Sequence, residues 1–229
     1  MITATGAEYH LGGLASLQPG GRPIKVDDLA HQLALINRFH GATCRPYSVA
    51  EHSLLVSEVA ERAALPMIVQ LAALLHDAHE VYTQDVATPV KRAVDFCSGQ
   101  SGGTSAWTQF EADHAKTLRR HFGLLTTFAS SRFALRHIDL QALATERRDL
   151  LPFDPYLHQP WPVLGDHEDD LAKRVTPIDW CRLNTPEREA MRWQDWRQAW
   201  RDRFDELQHG LGLLNGTSTG VEFVGGAHA

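Results

Sequence analysis

Two imidazoles and two carboxylates carry the chemical potential of this sequence: His52, the adjacent pair His76 and Asp77, and Asp139. Each falls near the apolar side of a segment whose periodicity predicts a helix, so three separate helices could present them to one interior. Helical bundles build metal sites in this way. Burying several ionisable groups is costly unless hydrogen bonds or a cation compensate, and one divalent ion would satisfy all four together. Mixed nitrogen and oxygen donors suit Mn, Fe, Co, Zn or Mg, with water completing the shell. Spacing alone leaves a second reading open. The chain holds 13 His, and an isolated core His is more often hydrogen-bonded to its neighbours than bound to a metal.

The elements that would position these groups are legible as periodicity. Leu29, Leu33 and Ile36 follow Asp27 and Asp28, acids suited to the positive end of a helix dipole, and predict a helix that ends near Phe39 and Gly41. Ser48-Val49-Ala50-Glu51 has the capping-box pattern, with Leu55, Val59 and Ala63 along one face, so a second helix begins at Ser48 and carries His52 in its first turns. After Pro66, the run MIVQLAALLHDAHEV is apolar nearly all round through Leu75, the mark of a buried helix with His76 and Asp77 at its inner end. TQDVATPVKR breaks helicity before Pro89, and the Gly/Ser-rich residues 98–105 predict a mobile loop. Helices are predicted again over about 106–121 and 130–148, the second carrying Asp139.

A Pro-rich connector then leads to a last helix over about 185–209, with Thr185 as N-cap and Pro186 at its first position. Trp193, Trp196, Trp200 and Phe204 form one face of it, suited to packing on the core or to a subunit contact. The turn formers among the first two dozen residues predict an irregular lead-in with a short strand.

At 229 residues, 43% hydrophobic and 22% charged, the chain is expected to enclose one core: a single domain over 1–209 and a flexible Gly-rich tail over 210–229. A net charge of −6 disfavours broad nucleic-acid binding, while a small phosphate ligand remains compatible with it. No apolar run reaches the length of a membrane span and no signal peptide opens the chain, so a cytoplasmic location is expected. Cys44, Cys97 and Cys181 are odd in number and widely spaced, which predicts reduced thiols.

The wording around the four candidate ligands is more specific than their spacing. INRFHGATCRPYSVAEHSLLVSEVA followed by LAALLHDAHEVYTQDVATPVKR closely resembles the HD-domain superfamily, and within it the bacterial 5'-deoxynucleotidase-like branch. The resemblance covers roughly residues 25–150. It rests on an Asn-Arg-aromatic segment, a Val-Ala-Glu-His-Ser helix start, H-D-x-x-E, a D-x-x-T-P-V-K loop and a late helical Asp. It implies an all-α HD-domain helical bundle that hydrolyses phosphate esters with one divalent ion held by His52, His76, Asp77 and Asp139.

The same resemblance implies further roles. Glu80, one turn beyond His76, would serve as general acid or base beside Asp77, and Arg38 would orient the substrate phosphate. Phe39 stands where the resembled branch carries Trp against the sugar. Asp85 would hold the sugar 3'-hydroxyl or orient water, and Thr88 and Lys91 would reach phosphate. The implied substrate is a 2'-deoxynucleotide, with a 5'-deoxynucleotidase first and a deoxynucleoside triphosphate hydrolase as its rival, the latter drawing on Arg132 and Arg136 as well. A dinuclear-iron oxygenase using His79, His114 or His121, and a non-catalytic binding module, are the remaining alternatives. Relatives of this kind also imply a homo-oligomer, a dimer or higher.

Overall fold

In the computed structural model, residues 1–100, 102, 105–167 and 173–216 are described, and the architecture they form is all-helical, with no β-strand among the described residues. The expected N-terminal strand is a single bridge between Ile2 and Glu8. None of these helices is long and apolar enough to cross a membrane.

Helix α1 (Val26–Leu33) ends earlier than its periodicity suggests. The physical reason is a competing pairing: Asn37 bridges Ser48, Arg38 N–H donates to the Tyr47 carbonyl at 2.9 Å, and Val49 N–H to the Ile36 carbonyl at 2.9 Å. This pairing pulls residues 36–38 out of helical geometry, and the chain then turns through Phe39 (φ 54°) and His40 (φ 52°). Ser48 caps α2 (Val49–Arg62) as expected, its hydroxyl accepting from Glu51 N–H at 3.2 Å. The Glu51 carboxylate meanwhile takes both guanidinium nitrogens of buried Arg45, at 2.6 and 2.9 Å, and a third bond from Arg188 at 2.8 Å.

The apolar run after Pro66 is not one continuous helix. It forms α3 (Met67–Leu74), a set of tight turns over 75–79, and the short α4 (Glu80–Thr83). Helicity breaks before Pro89 as expected, residues 84–87 being non-helical, but the segment from Thr88 forms a helix that the sequence does not predict, α5 (Thr88–Gln100). Pro89 sits in the first turn, where its missing N–H has no intrahelical partner to lose, so it opens the helix. Residues 98–100 thus belong to α5, and positions 101, 103 and 104 of the expected loop lie outside the described residues. Helix α6 (Ala106–His121) matches its predicted span, a short α7 (Leu125–Ser130) follows, and α8 (Arg132–Leu150) carries Asp139 near its middle.

The last predicted helix is two. Helix α9 (Pro186–Ala190), capped by Thr185, stops at Met191, whose ψ of 134° is extended, and α10 (Trp193–Gly216) starts after it. Helix α10 continues through Gly210 and Gly212 to Gly216, so the expected tail boundary at 210 is corrected; residues 217–229 lie outside the described ones. The extension has a packing cause. Leu211 packs on the core, and Gly210 faces the flexible end of the Met67 side chain.

Helices α2, α3, α8 and α10 enclose the centre, with α1 packed against α10 and α7 against α3. Trp200, Leu71, Leu74, Leu75 and Leu118 are fully buried there. The aromatic stripe of α10 is therefore spent inside the molecule: Trp196, Trp200 and Phe204 are all buried, and Trp200 stacks on Phe204 at 5.7 Å.

Candidate metal centre

Helix α2, the turn after α3 and helix α8 each deliver part of one cluster. His52 and His76 face each other with their Nε2 atoms 3.2 Å apart. Asp77 Oδ2 lies 3.5 Å from His52 Nε2 and 3.1 Å from His76 Nε2. Asp139 Oδ1 lies 3.3 and 3.6 Å from the same two nitrogens.

These separations are those of donors sharing one ion, since metal bonds of about 2.0–2.2 Å put neighbouring donors about 3.0–3.5 Å apart. The remaining ring nitrogens are occupied elsewhere, which leaves Nε2 of each imidazole for the cluster. His76 Nδ1 lies 2.7 Å from the Ala73 carbonyl, and His52 Nδ1 lies 2.5 Å from Glu146 Oε1. The His52, His76 and Asp77 group can hold a metal ion, and Asp139 Oδ1 adjoins both of its imidazole nitrogens. His52 has no exposed surface, whereas the Asp77 and Asp139 side chains are 21% and 38% exposed, so the cluster opens to solvent on its carboxylate side.

The electrostatics fit a site that waits for a cation. Burial pulls the His76 imidazole toward neutrality, but Asp77 and Asp139 outweigh it and hold its pKa well above the ordinary value. The same holds for His52, where burial and Arg38 are overcome by Glu146 and Asp139. Asp77 is pushed up by burial and then held well below the usual carboxylate range by His76, His52 and Arg38. Without an ion, protons are the available neutralising charge; a divalent ion replaces them and returns both imidazoles to the neutral, ligating form.

Glu80 is buried with Oε2 lacking any hydrogen-bond partner. Burial, reinforced by Asp77 and Asp85, raises its pKa well above the carboxylate range. Arg38 is buried too, its guanidinium 3.5 Å from Asp77 Oδ2 and 3.1 Å from Glu146 Oε2, with Nε unpartnered. Its guanidinium lies over the half-buried Phe39 ring at 5.4 Å. Asp85 is half-buried and acts electrostatically on both Arg38 and Glu80.

Lys91 stands further out, its ammonium donating to Glu111 of α6 at 2.6 Å, and Thr88 is exposed at the first residue of α5. His114 belongs to a different setting, with Nδ1 2.9 Å from the Tyr9 hydroxyl and its ring at the edge of Phe110. His121 packs edge-on against Phe122. Among the described residues, neither joins the two-histidine cluster.

Sequence reasoning missed Glu146. It is fully buried, and it binds His52 and Arg38 at once through its two oxygens. The available signal was its spacing: two helical turns after Asp139 on α8, a carboxylate on the same face as a proposed ligand.

No family profile matches the chain. An uncharacterized protein of Rhodobacter capsulatus is 48% identical over 82 residues, 34% of this chain and 42% of that protein. The uncharacterized protein YfdR of Escherichia coli is 33% identical over 141 residues, which is 62% of this chain and 67% of YfdR. The chain belongs to the YfdR family. It spans less than half of the Rhodobacter relative and two thirds of YfdR. Because both relatives are described as uncharacterized, a functional reading of the YfdR family rests here on the geometry of the centre.

Proposed function

We propose that this protein is a metal-dependent phosphohydrolase of the HD type, cytoplasmic, which converts 2'-deoxynucleoside monophosphates to deoxynucleoside and phosphate. One observation carries the reading: His52 of α2 and His76 and Asp77 of the turn after α3 form a group that can hold a metal ion, Asp139 of α8 adjoins both imidazoles, and a buried Arg38 and a buried Glu80 with one unpartnered oxygen act on it. A divalent ion bound by His52, His76, Asp77 and Asp139 would supply an activated water and neutralise phosphoryl charge.

The chain's own residues do the rest. Arg38, anchored by Glu146, turns a guanidinium fork toward the phosphate, and its permanent charge suits an anionic ligand. Glu80, whose pKa burial and the neighbouring Asp77 and Asp85 raise, is suited to deliver a proton to the leaving 5'-oxygen of the sugar. Phe39 offers a flat apolar surface to a sugar or base, and Asp85 an acceptor for a sugar hydroxyl.

The test is a screen of dNMPs, NMPs and dNTPs with Mn, Co, Mg, Zn or Fe added singly and phosphate species resolved. Orthophosphate from dNMPs, abolished in Asp77→Ala, is the expected result. Tripolyphosphate from dNTPs would instead identify a triphosphohydrolase. No turnover of any phosphate ester by metal-loaded protein would sink the reading.

A further inference from the structure

The geometry points to Glu111 as the positioning residue for the site's outer cation, a role that rests on the phosphohydrolase reading and goes beyond it. Apart from Arg38, Lys91 is the basic side chain whose charge is felt by the buried Glu80, and its own ammonium senses Glu80 and Asp77 in turn. Its partner Glu111, 2.6 Å from the ammonium, lies 3.7 Å from His79 in the turn that carries two of the ligands, so Lys91 sits at the edge of the centre.

Its helix does not fix it there. Helix α5 buries no residue, and its packing partner is α6. A lysine stem is long and rich in rotamers, so a cation on such a helix is poorly placed unless something holds it. Glu111 does so. Its Oε1 accepts from Lys91 Nζ at 2.6 Å and lies 3.7 Å from His79 Nε2, and its side chain is only 22% exposed. His79 follows Asp77 by two residues in the turn that carries the ligands. The Glu111 carboxylate thus ties α5 and α6 to the backbone turn of the metal centre through two side chains.

The consequence concerns where the ammonium goes. Besides Glu111, Glu80 and Asp77 act electrostatically on Lys91, and without Glu111 their pull would draw the cation into the centre and away from the phosphate path. Glu111 keeps Lys91 at the rim, poised to meet an anionic substrate. The contribution belongs to substrate capture more than to the chemical step, so it is expected in KM.

The experiment compares wild type, Glu111→Gln, Lys91→Met and the double variant in the metal-loaded protein, with dNMP kinetics, metal content and thermal midpoint measured for each. Expected is a KM raised about five- to tenfold in each single variant with kcat within about twofold. The double variant should be no worse than Lys91→Met alone, with metal content unchanged throughout. Independent, multiplying effects would overturn the proposal, because they mean Glu111 does not act through Lys91. An unchanged KM in Glu111→Gln would do so too, and a lowered one would show that the carboxylate merely repels phosphate.

If wild type hydrolyses no phosphate ester, the phosphohydrolase reading fails separately. Calorimetric binding of inorganic phosphate then decides: weaker binding to Glu111→Gln than to wild type supports the positioning role, and equal or absent binding by both removes it.

Discussion

Glu80 shows at the residue scale how burial sets chemistry. Its carboxyl has no hydrogen-bond partner on Oε2 and is surrounded by Asp77 and Asp85, so the protonated form is favoured well above the usual range. Replacing it by Gln removes the proton donor while keeping the shape, and kcat on dNMPs is expected to fall about 10²–10⁴-fold. The same substitution has a stability signature. A group whose pKa is raised by folding contributes stability below its unfolded pKa and loses it as pH rises through the folded value. In chelator-treated protein, Tm measured from pH 5 to 8 should therefore fall less for Glu80→Gln than for wild type. The advantage of the variant at the alkaline end is expected to be roughly 2–4 °C, the shift about 1 kcal/mol gives at this size. Parallel curves would argue against a buried, protonated Glu80. Glu146 acts one step further out, orienting His52 through Nδ1. Glu146→Gln is expected to weaken metal affinity about 10–100-fold, read by competition with a fluorescent chelator.

Helix α2 sets the scale of elements, because its two ends are fixed by different devices. Ser48 caps the start one turn before His52, and removing that cap in Ser48→Ala should cost about 1 kcal/mol in urea unfolding. The other end closes with Leu65 N–H on the Ala60 carbonyl at 3.0 Å and Ala64 N–H on the Glu61 carbonyl at 2.8 Å, the paired bonds of a Schellman motif. That motif requires a left-handed residue, and Ala64 adopts φ 52° without being glycine. Ala64→Gly should accordingly stabilise the protein by about 1 kcal/mol, since the left-handed region costs an L side chain about 1–2 kcal/mol. A destabilised variant would show that backbone entropy outweighs the strain.

At the scale of the whole molecule, α10 and the candidate ligands both draw on α2, which packs on α10 and carries His52. Trp200 is fully buried where α10 meets α1, α2 and α3. Trp200→Ala should cost about 3–5 kcal/mol, and the loss should appear in urea unfolding with no change in metal stoichiometry. An ion held by side chains from α2, the turn after α3 and α8 binds only the folded arrangement. At 100 times its dissociation constant it adds about 2.7 kcal/mol, so a Tm lowered by roughly 5–10 °C on chelation is expected. Calorimetry with and without chelator measures it, and an unchanged Tm would mean that the cluster binds no ion.

Local sequence determined a good deal of this protein. The capping pattern at Ser48, the apolar run before His76 and the period of α6 specify their elements because each depends on neighbours within a few turns. The ordered motif likewise singled out His52, His76, Asp77 and Asp139, which the folded chain brings together. Other features depend on partners distant in the chain, and only the tertiary structure decided them. The strand-like pairing of 36–38 with 47–49 ended α1 early, α10 runs past Gly210 with Leu211 packed on the core, and burial converted Glu146 from an ordinary helix acid into the anchor of His52 and Arg38. Lys91 and Glu111 likewise meet through the packing of α5 on α6. Periodicity reports which face of a helix is apolar, but hydrogen-bond partners and electrostatic fields are set by what that face comes to rest against.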